Sequence, residues 1–548
     1  MAPLRHNGAA VHDVVYTGAT VVTMDERRTI ARGIWTRGDT IVAIGDPEDL
    51  MREAPSSASI RDLEGATILP GFIDAHCHFA LLAYLQSGAD CSSRSAPDIP
   101  RIQQLLALAA PGPEGWVTGS GYSESTLAEG RHPTRWDLDK AVPDVPCVLY
   151  HASLHACVVN SAGLIELGLH RDSPDARNGR YERDLDGRLT GLILEQPALD
   201  LWARNMERHF AALDADRRLD LVRAAGAQLS ELGITSCADA SIDPTTFQVL
   251  RQAEDAGALS VRITAMFMNN RAGGIRTVGM GSGFGSAWLK IGAIKYWADG
   301  GMSSRTAAVD PAYAHSPDDR GLLIWAAESL GKSVRAWDDA GFQVAIHAQG
   351  ERAIEVALLA LSGVIGREGN TRRHRIEHGG AFRADLQEQA ARLGVCVVSQ
   401  PGFLSVLGDG FHEAFGSERS EYLYPFASLL QMGVVVAGSS DAPVISASPL
   451  LGIRDAMVRR TVEGRVIGMG ERLDPTQAVE LYTRNAAYVL GVEDRVGTLE
   501  PGKAADFVVL ADNPLRVSPE TVADIPILAT IVGGNNTYAR PLRALMTA

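Results

Sequence analysis

The amino-acid sequence predicts an α/β protein: a (β/α)8 TIM-like barrel with an inserted subdomain, beside a β-sandwich formed by the N- and C-terminal segments. Three observations predict it. From Leu232 onward, short β-branched runs alternate with helical patterns; both ends of the chain read as short strands broken by glycine turns; and one stretch, about Leu81 to Glu231, is too long for a single β/α connection. The length of 548 residues exceeds one ordinary domain and suits a barrel with additions. With 46% hydrophobic and 21% charged residues, the composition is globular.

The net charge of -15 comes without a Lys/Arg cluster, which argues against nucleic acid as a partner and makes the acidity a matter of solubility. Met1 to Asp13 lacks the apolar core of a signal peptide, and no later apolar run is long enough to span a bilayer. The expectation is a soluble cytoplasmic protein that acts on a small molecule, with no membrane partner; a homodimer is compatible with the sequence. The six cysteines, Cys77, Cys91, Cys147, Cys157, Cys237 and Cys396, show no Cys-x-x-Cys spacing and are expected as reduced, buried thiols.

Taken in order, Val14 to Ile60 contains β-rich runs separated by turns, and Arg495 to Leu510, Ile531-Val-Gly-Gly and Thr537-Tyr-Ala-Arg form a counterpart at the other end. Neither half has enough apolar surface alone, so residues 1–67 and 495–548 are expected to join in one discontinuous sandwich. The barrel occupies 68–494, with the insertion at about 81–231. Its strand candidates are Ile68 to His78, Ile234 to Ala240, Ser260 to Phe267, Lys290 to Trp297, Phe342 to Ala348, Arg373 to His378, Val395 to Gln400 and Val434 to Asp441.

The chemistry begins at His76-Cys77-His78. On an extended strand the two imidazoles point to one side and Cys77 to the other. Neutral imidazole is the commonest side-chain metal ligand, and a metal with open positions generates a nucleophile at neutral pH. Further groups sit at the C-terminal ends of counted strands: Lys295, His347, His378 and Asp441. Barrel enzymes build their sites at that face, so six candidate ligands converge.

These residues lie in Pro70-Gly-Phe-Ile-Asp-Ala-His-Cys-His, Ile294-Lys-Tyr-Trp-Ala-Asp-Gly-Gly-Met-Ser-Ser-Arg, His347-Ala-Gln-Gly-Glu-Arg, Arg375-Ile-Glu-His and Ser440-Asp-Ala-Pro. With Gly497 to Leu510, these motifs resemble the amidohydrolase superfamily, in particular amidohydrolase family 3, the YtcJ-like group that includes N-substituted formamide deformylases. One departure is Gln349-Gly-Glu-Arg, where that family more often has Gly-Asp-Arg; the inserted region matches little.

The resemblance implies that His76, His78 and Asp441 hold one divalent metal and that His347 and His378 hold a second. An ammonium has no lone pair to give a cation, and the resemblance implies that Lys295 is carboxylated by carbon dioxide to a bridging carbamate. The chain has only Lys140, Lys290, Lys295, Lys332 and Lys503 among 51 basic residues, so it uses arginine where charge alone suffices. Zinc is the first expectation for both metals, with manganese or iron also compatible. The implied reaction is cleavage of a non-peptide carbon–nitrogen bond, an N-formyl or N-acyl amide, by metal-activated hydroxide, with Asp441 carrying the proton.

In the inserted region Tyr122, His155 and Glu195 are candidates for the substrate pocket. Just past Lys295, Trp297 and Met302 are candidates for an apolar wall, and Arg305 for a substrate carboxylate. Two other functions remain open at this point. One is a mononuclear-metal deaminase of a heterocycle; the other is a non-catalytic binding protein that keeps the barrel.

Overall fold

Eight parallel strands pair in chain order: β1 (Phe72–Cys77), β2 (Ile234–Ile242), β3 (Arg262–Met268), β4 (Leu289–Trp297), β5 (Val344–Ala348), β6 (Arg375–His378), β7 (Cys396–Ser399) and β8 (Val436–Gly438). The computed structural model describes residues 12–540 except 177 and 315, so the outermost parts of both terminal segments lie outside the described residues. All eight strands are buried almost throughout, as helices on one side and packed side chains on the other require of a parallel sheet.

The seam between β8 and β1 is joined at its C-terminal end by the loop after β8. The Asp441 N–H donates to the His76 carbonyl at 2.8 Å, the His78 N–H to the Ala442 carbonyl at 2.8 Å, and the Ser440 N–H to Asp74 Oδ1 at 3.1 Å. Burial pushes the Asp74 carboxyl up to about 7, against the hydrogen bonds from Ser440 and His76. Asp74 therefore holds together the two chain segments that present His76, His78 and Asp441.

The expected first strand, Ile68 to His78, is in fact two strands. Thr67–Pro70 belongs to a six-stranded sheet, where it pairs with Thr20–Val22 and Phe507–Leu510; Phe72–Cys77 enters the barrel. Gly71 stands at the break, where a Cβ would lie 2.2 Å from Thr235 Cγ2, so the close approach of the neighbouring strand requires glycine there. The other barrel strands fall within the expected segments or extend them by one or two residues.

That six-stranded sheet takes strands from both ends of the chain, in the order Asn535–Ala539, Ile527–Val532, Phe507–Leu510, Thr67–Pro70, Thr20–Val22, Ile30–Ala31. A four-stranded sheet of Asp13–Thr17, Gly33–Arg37, Thr40–Gly45 and Ser59–Asp62 lies against it, and Tyr16, Ile34, Ile68, Phe507 and Ile531 share one buried cluster. Asp506 links this layer to the barrel through a buried bidentate pair with Arg262, at 2.6 and 2.9 Å. Asp506→Ala leaves a buried guanidinium without its partner, and we expect a loss of about 3–5 kcal/mol, read as a lower denaturant midpoint.

Between β1 and β2 the chain forms helix Phe79–Leu85, a second six-stranded sheet spanning Ala89 to Glu195, and helices Gln196–Ala212 and Ala215–Glu231. The strand Leu189–Glu195 and helix Gln196–Ala212 bring Glu195, Leu199 and Trp202 toward the C-terminal mouth of the barrel.

Candidate metal centre and active site

The four histidines share one arrangement: each has one ring nitrogen engaged by an outer acceptor. His76 Nδ1 lies 2.5 Å from Glu377 Oε2, His78 Nδ1 2.9 Å from the Ala240 carbonyl, His347 Nε2 3.1 Å from the Gly300 carbonyl, and His378 Nδ1 2.8 Å from Gln400 Oε1. The Gln400 orientation is set by its amide, which donates to Ser439 Oγ at 2.8 Å. Since each outer partner accepts, the engaged nitrogen carries the proton, and the other nitrogen of a neutral ring keeps its lone pair.

These lone pairs meet other acceptors. His78 Nε2 is 3.0 Å and His76 Nε2 3.3 Å from Asp441 Oδ1, and the ligand atoms of this trio all lie within 4.8 Å of one another. The His378 ring centroid is 5.0 Å from that of His76 and 4.5 Å from that of His347. Lys295 Nζ is 3.3 Å from His76 Nε2. A buried set of nitrogen and carboxylate lone pairs facing one another needs cations between them, so the residues present fit a divalent metal.

Burial acts on every group here. It lowers the His76 imidazole to about 4, helped by Lys295 and opposed by Glu377, and it holds His378 well below the ordinary histidine range. Burial brings the Lys295 amine down to about 8, against the carboxylates of Glu377 and Asp441. For Asp441 burial acts upward, but a proton on His78 Nε2, standing where a cation otherwise would, together with the neighbouring His76 and His378 outweighs it, leaving the carboxyl well below the usual range. Both His378 (φ 72°) and Asp441 (φ 58°) sit in the left-handed region, a strain that surrounding bonds must maintain.

The sequence singled out no role for Glu377, Asp74, Asp299 or Gln400. Glu377 is fully buried and accepts from Arg375 Nε at 2.6 Å as well as from His76. Asp299 accepts the backbone N–H groups of Ala308, Gln349 and Gly350 at 2.8–3.0 Å, which ties the loops after β4 and β5 together beside His347. Glu377 stands inside the quoted Arg-Ile-Glu-His motif; its period-two relation to Arg375 on a strand is the signal that both face inward. We expect Glu377→Gln, which keeps the shape and weakens the acceptor, to reduce metal affinity by ~10–100-fold in competition with a chelator.

The substrate-contact candidates divide. His155 and Trp297 line the cavity above the histidines, together with Ser153, Leu154, Leu199, Trp202 and Val444. Glu195 stands behind His155, its Oε2 2.8 Å from Nδ1, and also receives the Thr306 hydroxyl at 2.5 Å. Its backbone is strained (φ 63°, ψ −134°), and its N–H donates to the His155 carbonyl at 2.7 Å. The other three candidates lie off the cavity lining. Tyr122 is buried, with its hydroxyl 3.1 Å from His132 Nδ1. Met302 packs by Tyr424, 3.7 Å from sulfur to hydroxyl, because the glycine-rich turn after Trp297 carries it past the mouth. Arg305 is half exposed and lies 3.6 Å from Glu413, so its charge faces solvent.

Among the described residues no helix is long and apolar enough to cross a membrane. The profile described as "Amidohydrolase family" matches residues 59–538. An N-substituted formamide deformylase of Arthrobacter pascens is 28% identical over 540 residues, covering 97% of this chain and 99% of that protein. The putative amidohydrolase YtcJ of Bacillus subtilis is 27% identical, with 96% and 99% coverage. Among solved structures, an uncharacterised metal-dependent hydrolase from Pyrococcus horikoshii superposes with a TM-score of 0.76 at 26% identity, over 92% of this chain and 99% of that one. The chain belongs to the amidohydrolase family and is an enzyme acting on carbon–nitrogen bonds.

Proposed function

We propose that the enzyme is a divalent-metal hydrolase of small non-peptide amides, with N-substituted formamides as the first substrate class to test. One observation carries this reading: four imidazoles with outer hydrogen-bond partners, the Asp441 carboxylate and Lys295 line one cavity, and the ligand atoms of His76, His78 and Asp441 lie within 4.8 Å of one another. His76, His78 and Asp441 would hold one cation, His347 and His378 a second, and Lys295, as a carbamate, would supply oxygens to both. Zinc fits this nitrogen and oxygen set best. Bound there, the metals supply Lewis-acid polarisation of the amide carbonyl and a water made acidic enough to be a nucleophile at neutral pH.

The chain's own residues then do the following. Asp441, ionised among imidazoles, takes the proton of the attacking water and delivers it to the departing nitrogen, because an amine leaves far more readily when protonated. Glu377 and Gln400 fix the tautomers of His76 and His378. Glu195 orients His155 at the wall, where it is placed to contact the amide. Leu154, Leu199, Trp202, Trp297 and Val444 exclude water and offer an apolar surface to the nitrogen substituent. The formamide deformylase relative supports N-substituted formamides as the class to test first.

A second reading, a mononuclear enzyme such as a deaminase, draws support from the compact His76, His78, Asp441 trio. Elemental analysis of purified protein and amine release from an N-alkylformamide, set beside its N-acetyl homologue, decide between them. Two metal equivalents with faster formamide turnover support the first reading. One equivalent with ammonia release from amino-heterocycles overturns it.

A further inference from the structure

On the far side of the helix that walls the catalytic cavity lies a second cleft, of about 250 Å³. Helix Gln196–Ala212 gives it Gln196, Asp200 and Arg204, one turn apart from each other, with Pro197 and Leu201 beside them. At about 100° per residue these positions fall on the face opposite Leu199 and Trp202, which line the catalytic cavity. Leu167, at the end of the short helix Ser161–Glu166, and Tyr181, on the edge strand Gly179–Arg183, form the other wall. The cleft shares a helix with the active site but none of its lining.

Asp200 and Arg204 stand at the spacing where opposite charges on a helix ordinarily pair. Here they do not, and among the described residues neither belongs to any ion pair. Asp200 Oδ1 accepts the Gln196 amide at 2.9 Å. Arg204 Nη2 donates to Asn205 Oδ1 at 3.3 Å, whereas its buried Nε has no hydrogen-bond partner. The guanidinium rests on the buried Trp116 ring, with Cζ 5.7 Å from the ring centre. Burial and the neighbouring Arg208 both act against its charge; Glu166, a carboxylate that acts in favour, is itself paired with Arg208 at 3.8 Å. A partly desolvated cation with unused donors thus sits in a cleft whose other surface is largely apolar, an arrangement that is costly until an anion arrives. Asp200, on the next turn, limits the kind of anion, because a ligand with a second negative charge meets a like charge there.

We propose that this cleft is a second ligand site, which takes a small monocarboxylate with an apolar body. The carboxylate accepts from the Arg204 guanidinium, whose planar fork suits two oxygens. The apolar body lies against Leu167, Pro197, Leu201 and the Tyr181 ring. A neutral molecule of the same shape leaves the guanidinium without a counter-charge, and a dianion is opposed by Asp200. The inference does not depend on what the metal centre hydrolyses.

The test is a calorimetric titration of the metal-loaded full-length enzyme with sodium benzoate at low ionic strength. A saturable site is expected, and Arg204→Gln is expected to weaken it by ~10-fold or more, the scale of a hydrogen bond to a charged group. Asp200 is exposed, so Asp200→Asn leaves the fold intact; it is expected to tighten benzoate by ~2–5-fold, because it removes a like charge one turn away. Benzamide, of the same shape without the charge, is expected to bind at least ~10-fold more weakly than benzoate. Opposite signs in two variants of one helix separate the cleft from the metal centre, since benzoate held by the metals is indifferent to both. Wild-type benzoate affinity in a folded Arg204→Gln variant overturns the proposal. So does an Asp200→Asn variant that binds benzoate no more tightly than wild type, which decides the case if the arginine variant fails to fold. Absence of saturable benzoate binding overturns it as well, as does inorganic phosphate binding ahead of benzoate at a site that Arg204→Gln abolishes.

Discussion

Asp441→Asn is expected to lower turnover by at least ~100-fold while the protein stays folded and retains part of its metal. The choice of asparagine matters twice. Asp441 sits at φ 58°, and asparagine is among the few side chains that tolerate the left-handed region, so the substitution leaves the backbone at the barrel seam undisturbed. The seam bond from the Asp441 N–H to the His76 carbonyl also survives, because it is a backbone bond. What disappears is a group that can accept a proton and return it. An amide keeps one oxygen for the site but does not carry a proton at neutral pH. The KM is expected to change little, since the carboxylate acts on the reacting atoms and not on the apolar wall formed by Trp202, Trp297 and Val444. Turnover within a few fold of wild type would remove Asp441 from catalysis, and loss of all metal would reduce its role to that of a ligand.

The parallel strands were legible because both faces of each are covered, so they read as continuous apolar runs such as Val344-Ala-Ile and Cys396-Val-Val. The break at Gly71 was not. Pro70-Gly71 interrupts a run that is apolar on both sides, and only the pairing partners, far along the chain, show that the strand changes sheets there. A comparable limit applies to the site. His76 and His78 announce themselves by spacing, whereas Glu377 and Gln400 are an ordinary strand glutamate and an amide until the fold sets them 2.5–2.8 Å from imidazole nitrogens. The loop residues Met302 and Arg305 follow a glycine-rich turn whose path no periodicity encodes, and both end away from the cavity. His155 is placed by a strand end and held by Glu195, forty residues on, through two bonds that only the antiparallel sheet can create.

Lys295 separates the two-metal reading from its rivals, and Lys295→Ala is expected to abolish most activity together with the second metal equivalent. Five acceptor groups without a bridging anion leave two cations repelling each other across a few ångströms. The ammonium alternative makes a different forecast. As the structure stands, Nζ lies 3.3 Å from His76 Nε2, and a charged lysine there would serve as a donor to that lone pair and as a counter-charge to Glu377 and Asp441. Lys295→Arg preserves that charge and adds donors, so it rescues function under the ammonium alternative. Under the carbamate reading it fails as badly as alanine, because guanidinium stays protonated and cannot take up carbon dioxide. Burial prepares the amine for the reaction. With its pKa brought down to about 8, a sizeable fraction is neutral in mildly alkaline solution, and only the neutral amine adds to carbon dioxide. Two measurements complete the case. In ¹³C-bicarbonate the wild-type protein is expected to show one carbamate carbon that is absent from both variants. Acetate or propionate added to Lys295→Ala is expected to enter the vacated space, offer two oxygens, and restore part of the activity and of the second metal. Near-normal turnover in Lys295→Arg, or a wild-type protein with one metal and no carbamate signal, would put the mononuclear reading in its place.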